Sequence, residues 1–481
     1  MKRTNLLLLA LWLFSSHLLA GIKLPNLVGD NMVLQQATQV RLWGEATPNT
    51  TLTVHASWTQ QTFTAEVNAQ GRWEAWLQTP SASFEKQQVT LVNGEDKVTL
   101  HDILIGEVWF GSGQSNMEMP LRGFTHCPIE GGNYTIATAG RYKNAIRYAT
   151  IDRKGKLEPQ EYAEGGDWKI CDPVNAPEFG ATAYYFAMML VETLDVPVGI
   201  INCSWGGSRV EGWLPKEILQ DYADINLSDA GSKEIPEMSQ PMIMYNGLLK
   251  PSSKYTIRGF IWYQGESNVG MPDYANRLAT MVEHWRGLWG QGELPFYMVE
   301  IAPFDYGYTG GQDLDAAILR EEQHKATEII PNSGIISTND LVADYETLQI
   351  HPKEKQMVGE RLAYLALNKT YGFTTIACEG PTYDHMEIDG DKIKVFFNHV
   401  GLGFNHYTGF IGFEIAGEDG VFHEAEAQIF GAYDYTNMNG LFVSSPEVQN
   451  PVAVRYCFKN FQIGNAKNIM GLPMVPFRTD K

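Results

Sequence analysis

Residues 103–116 read ILIGEVWFGSGQSN, an apolar run that breaks abruptly into glycine, serine and amide residues. The run has the composition of a buried strand, whereas Gly111-Ser112-Gly113-Gln114-Ser115-Asn116 can neither fill a core nor continue a strand. Glycines permit a tight turn with unusual dihedrals. Such a turn lets Ser115 open the next helix with its hydroxyl free and with backbone N–H groups facing a ligand.

The same form recurs along the chain. Between about 103 and 370, short apolar runs (VPVGIINCS, IRGFIWYQ, LPFYMVEIA, SGIIST) alternate with helical patterns at 181–194, 273–289, 314–330 and 354–367. Strand and helix in alternation is the sequence form of repeated βαβ units, and predicts an α/β fold built on a doubly wound parallel sheet. Residues 22–100 instead alternate polar and apolar over short runs between turn formers, and the strand rhythm returns after 371. The expected organisation is a leader at 1–20, an N-terminal β-sandwich at 21–100, an α/β domain at 101–371 and a C-terminal β module at 372–481.

The leader, MKRTNLLLLALWLFSSHLLA, has a basic start, a short apolar block and a small residue at Ala20, the layout of a signal peptide. Export to the periplasm or the medium, or to the lysosome in a eukaryote, is the corresponding expectation. No later run is long and uncharged enough to predict a membrane span. A net charge of −20 repels phosphate backbones, which argues against nucleic acid as a partner. Nothing in the sequence sets the oligomeric state. Five cysteines in an exported chain allow disulfides, with Cys127–Cys171 the expected pair and five buried free thiols the alternative.

In open α/β sheets the reacting groups gather beyond the carboxyl ends of the strands. There the chain places Ser115, then Trp205-Gly206-Gly207-Ser208, then Gln264-Gly265-Glu266, then a polar loop from Asn339 to His351. Each piece alone has a plain reading as a turn or a cap. Together they supply a serine, a base for it and donors for the oxyanion it generates. With Pro352 after it, His351 is expected at a helix N-cap, where the positive helix end keeps the imidazole neutral.

GSGQSNMEMPL (111–121), CSWGGSRVEGW (203–213), MYNGLLKP (244–251), WYQGESN (262–268), IHPKEKQMVGERLA (350–363) and GLPMVPFRTD (471–480) resemble the sialate O-acetylesterase family, a branch of the SGNH-type serine hydrolases. The resemblance spans essentially the whole mature chain. It implies a flavodoxin-like sheet with flanking β-sandwich modules and a Ser115-His351 acetylesterase that needs no metal or organic cofactor. It also implies an oxyanion hole from Ser115, Gly207 and the Gln264 amide.

One departure stands out, because the Asp usually found three residues before the histidine is Leu348 here. Asp344, Glu346 or Glu266 would have to orient His351, with Asp340 a weaker candidate, or else a backbone carbonyl does so; the carbonyl is the expectation adopted. An acetylated sugar is the expected partner, with Gln114, Asn116, Arg122, Trp205, Arg209 and Asn246 as binding residues and Trp262 and Tyr245 as further stacking candidates. The favoured ester is 9-O-acetyl sialic acid and the alternative is an acetylated glycan such as xylan. A glycoside hydrolase using Glu266 and Asp344, or a non-catalytic glycan binder, are readings from other classes.

Overall fold

The computed structural model describes residues 21–430 and 438–480; the expected leader at 1–20 lies outside them. Its centre is a sheet of strands β1 (Asp96–Gly113), β2 (Ile146–Ile151), β3 (Gly165–Ile170), β4 (Val198–Ser204), β5 (Gly259–Tyr263), β6 (Phe296–Val299) and β7 (Ser333–Ile336). Across the sheet the order is β7-β6-β5-β1-β4-β2-β3, parallel throughout except for β3. The chain runs from β1 out to one side and returns to the other at β5, so the crevice of a doubly wound sheet opens at the carboxyl end of β1, between β4 and β5.

Each helical pattern forms: α1 (Ser115–Glu118) follows the turn, then α2 (Ala181–Leu194), α3 (Tyr274–Trp289), α4 (Asp315–Ile329) and α5 (Gln356–Leu365). Strand alternation sorts the apolar residues by face. Trp109, Ile261 and Tyr297 pack with α2 and α5, while Phe110, Phe260, Trp262 and Phe296 pack with α3 and α4. Helices therefore cover both faces, which is why the strands read as continuous apolar runs.

The N-terminal β region is not joined by a linker. Strand β1 pairs antiparallel with Ser83–Asn93 over its first half, parallel with Val33–Gln35 at Leu104–Gly106, and parallel with β4 and β5 over its second half. Position 100 thus falls inside one strand, and the module's core is continuous with that of the α3/α4 face. After α5, two antiparallel sheets enclose a separate apolar cluster that includes Ile393, Phe397, Ile415 and Tyr456.

The expected Cys127–Cys171 disulfide does not form; all five cysteines are free thiols. Cys171 is buried against Ala139 O and the Tyr184 hydroxyl, while Cys127 faces a different loop. No helix among the described residues is long and apolar enough to cross a membrane.

Candidate active site

The nucleophile turn is set by backbone packing. Gly113 has φ +134°, and a Cβ there would lie 2.1 Å from Tyr263 O, so only glycine fits. Gln114 N donates to that same Tyr263 O at 2.9 Å, and the Gln114 side-chain oxygen accepts from Gly265 N and Ser267 N. Gln114 is therefore a buried clip between two strand ends. Ser115, partly exposed, starts α1 with its own N–H unpartnered among the described residues.

Gly206-Gly207 lies against the serine, with a Cβ on Gly206 falling 3.2 Å from Ser115 Cβ. Trp205 N donates to Gly113 O at 3.0 Å, which fastens this loop to the nucleophile turn. Gly206 N donates to Glu118 at 2.7 Å, and the other Glu118 oxygen pairs with Arg153. The Gly207 N–H, at φ +79°, has no partner among the described residues, and neither has Ser115 N–H.

Gln264 departs from its expected role. It is fully buried, its amide hydrogens go to Ser208 O (3.0 Å) and Asn268 Oδ1 (2.7 Å), and its oxygen accepts from the Tyr274 hydroxyl. With both N–H bonds spent, Gln264 holds the Gly207 loop from beneath rather than facing an oxyanion.

Asn116 joins the two halves of the site. Its Nδ2 donates to Glu266 Oε1 at 2.5 Å and to Ile350 O at 3.0 Å, and its Oδ1 accepts from Lys355 Nζ at 2.9 Å. The residue after the serine is thereby tied to the residue before the histidine. Asn116 is buried, so its role is to link loops, not to contact a sugar directly. Burial raises the Glu266 carboxyl pKa against the lowering effect of Asn116, and pushes the Lys355 ammonium down to about 8.

His351 is lowered to about 4, chiefly by burial and then by the Lys355 charge, so the ring is neutral near pH 7. The expected helix-end effect is not the cause: α5 begins only at Gln356, where Glu354 Oε1 accepts from Met357 N. The acids expected to orient the ring do not reach it. Glu346 accepts from Ala343 N (2.8 Å) and Lys353 N (3.2 Å), bracing the loop on both sides of the histidine. Asp344 is exposed, Glu266 serves Asn116, and Asp340 is clamped by Arg361 and Lys467. The expected carbonyl is missing too among the described residues; Nδ1 instead faces Cys127 Sγ at 3.8 Å.

Several expected sugar contacts turn inward. Trp205 is 8% exposed, Trp262 1% and Tyr245 5%, and Asn246 is spent on Lys156 O and Leu157 O. Arg122 is exposed but held by both oxygens of Glu178, and Arg209 is exposed. A cleft of about 540 Å³ opens next to Glu118, which binds Gly206 N, and Phe124, which meets the His351 ring, and is lined further by Asp152, Arg153, Asn202 and Ser204, among others. Sequence reading passed over Lys355, Glu118 and Arg153 and took Cys127 only as a disulfide partner; Lys355, four residues after His351, and Glu118, three after Ser115, lie inside the motifs that carry the resemblance.

The family model described as carbohydrate esterase, sialic acid-specific acetylesterase matches residues 106–368, which include Ser115, Gly207, Gln264, His351 and Lys355. The chain belongs to that family. The esterase is 28% identical to human sialate O-acetylesterase over 400 residues, 77% of this chain and 75% of that one. It is 26% identical to the mouse sialate O-acetylesterase over 427 residues, 76% and 77% of the respective chains. A carbohydrate acetylesterase from Xanthomonas citri of known crystal structure superposes with a TM-score of 0.82 at 32% identity, over 96% of this chain and all of that one. The esterase is thus a carboxylic-ester hydrolase of the carbohydrate acetylesterase class, and the resemblance read from its motifs holds.

Proposed function

We propose that the esterase removes O-acetyl groups from a sugar through an acetyl-serine intermediate. Ser115 Oγ attacks the acetyl carbonyl while neutral His351 takes its proton, and the oxyanion is met by the N–H groups of Ser115 and Gly207. His351 then protonates the departing sugar oxygen, and water activated by the same ring releases acetate. The carrying observation is the Asn116 side chain, which binds the nucleophile helix to the His351 loop.

Sialic acid acetylated at the 9-hydroxyl is the proposed substrate. Its support is family membership and the half-exposed Arg153 guanidinium in the cleft, a partner for a sugar carboxylate once Glu118 is displaced. The Xanthomonas citri relative, matched over nearly the whole chain, favours a second reading in which another acetylated glycan is the substrate. The basic and apolar start of the chain supports export, and the strand order supports the SGNH branch.

The test is acetate release from 9-O-acetyl sialic acid and from acetylated xylo-oligosaccharides by the parent, Ser115→Ala and His351→Ala. Loss in both variants supports the mechanism, and the preferred sugar decides the substrate. Undiminished release by Ser115→Ala overturns it.

A further inference from the structure

A base that uses Nε2 needs Nδ1 protonated and held, and a serine triad does this with a carboxylate. Here no carboxylate forms an ion pair with His351 among the described residues, yet the ring is tightly enclosed by one turn of chain. Phe124 and Cys127 exchange backbone hydrogen bonds at 3.0 Å each way, with His126 at φ +61° and Gly123 at φ +77°. A Cβ on Gly123 would fall 2.4 Å from Cys127 O, so the tight turn requires a glycine there. Both ends of the turn address the histidine. Phe124 meets the ring edge-on at 5.3 Å between centroids, and Cys127 Sγ lies 3.8 Å from Nδ1.

The thiol has a second partner, Gln349 Oε1 at 3.3 Å. That oxygen also accepts from His351 N at 3.3 Å, while Gln349 Nε2 donates to His126 O, which fixes which end of the amide faces the thiol. Sulfur both donates and accepts, weakly. Farther along, Glu130 N donates to Lys353 O at 3.0 Å and the two side chains pair at 2.6 Å, docking the same segment on the far side of the histidine.

We propose that Cys127 is the positioning residue of His351: Nδ1–H donates to Sγ, S–H donates to Gln349 Oε1, and Nε2 is left as the base. This rests on the Ser115-His351 reading above. The titratable groups on the elements packed against the ring are Cys127 and His126 from the turn, the Glu130–Lys353 pair beyond it, Lys355 and Glu346 from the histidine's own segment, and Glu266 behind Asn116. A carboxylate in place of the thiol would therefore stabilise imidazolium.

The experiment compares Cys127→Ala, Cys127→Ser and Cys127→Asp with the parent, using acetate release, a serine-directed phosphonate probe and the ¹⁵N spectrum of the histidines. Cys127→Ala is expected to lower kcat roughly tenfold to a hundredfold with KM within about twofold, and to lose the single Nδ1–H tautomer. Cys127→Ser, which keeps a donor and an acceptor, is expected to recover most of kcat and the tautomer. Cys127→Asp is expected to move the acid limb of kcat/KM to higher pH. If the parent is not labelled at Ser115, the reading of the site fails. If it is labelled, and Cys127→Ala keeps the parent's labelling rate with or without the tautomer, or Cys127→Ser loses the tautomer while keeping that rate, or Cys127→Asp leaves the limb in place, the positioning role is overturned.

Discussion

Main-chain packing sets the shape of the turn around Ser115, whereas the loop around His351 is held mostly by side chains. Gly113 sits in a conformation and a space that only glycine enters, and its neighbours hydrogen-bond directly to adjacent strand ends. The histidine loop hangs instead from Glu346, Gln349, Asn116 and the Phe124–Cys127 turn. Backbone packing tolerates no compromise, whereas side-chain supports can be weakened one at a time. The nucleophile should thus be lost all at once and the base by degrees.

The sharpest check is Ser115→Ala, expected to lower kcat roughly 10⁴-fold or more with an unchanged melting temperature, since the partly exposed hydroxyl has no hydrogen-bond partner among the described residues. Gly113→Ala is expected to fail differently, costing about 2–4 kcal/mol of stability in urea unfolding through strain and overlap. If it melts like the parent, the backbone account of the turn is broken. Glu346→Gln keeps one accepting oxygen for two N–H groups and loses the charge, so roughly a tenfold drop in kcat is expected, with a melting temperature a few degrees lower.

A smaller effect separates the burial of His351 from the charge of Lys355. The acid limb of kcat/KM should lie near pH 4 in the parent and rise in Lys355→Met, where the ammonium is gone but burial remains. The sign for stability follows: between about 4 and the ordinary histidine value near 6.5, the unfolded chain binds the proton and the folded one does not. This group's contribution to stability therefore falls as pH drops through that window, as urea melts at pH 6.5 and 4.5 would register. Asp344→Ala should stay within about twofold of the parent in kcat, because an exposed acid away from the ring has little to lose.

The strand ends, the four long helices and the glycine turn before Ser115 were legible because glycine content and apolar periodicity are local signals. Gln264, Asn246, Trp205 and Trp262 stand at equally suggestive positions, but their orientation is decided by distant partners. Tyr274 and Ser208 claim the Gln264 amide, and Lys156 and Leu157 claim Asn246. Cys127 was read as a disulfide partner for the same reason, lying 224 positions from the ring it faces. Even the His351 environment was read correctly as neutralising but from the wrong source. The helix opens after Glu354 rather than at Pro352, and burial of the ring, followed by the charge of the buried Lys355, does what the helix end was expected to do.

Strand β1 runs unbroken from Asp96 in the N-terminal sheet to Gly113 at the nucleophile turn. In a strand, sliding the pairing by one residue exchanges every side chain between the two faces. A slip between Ser83–Asn93 and β1 would push Trp109 toward α3 and Phe110 toward α2, and carry Gly113 off the one spot beside Tyr263 O that demands it. The N-terminal module is made earlier in synthesis than the rest of the sheet. Its pairing and that of β4 and β5 share one strand, so the count laid down along β1 in the N-terminal sheet is the count that places Ser115 at the crevice.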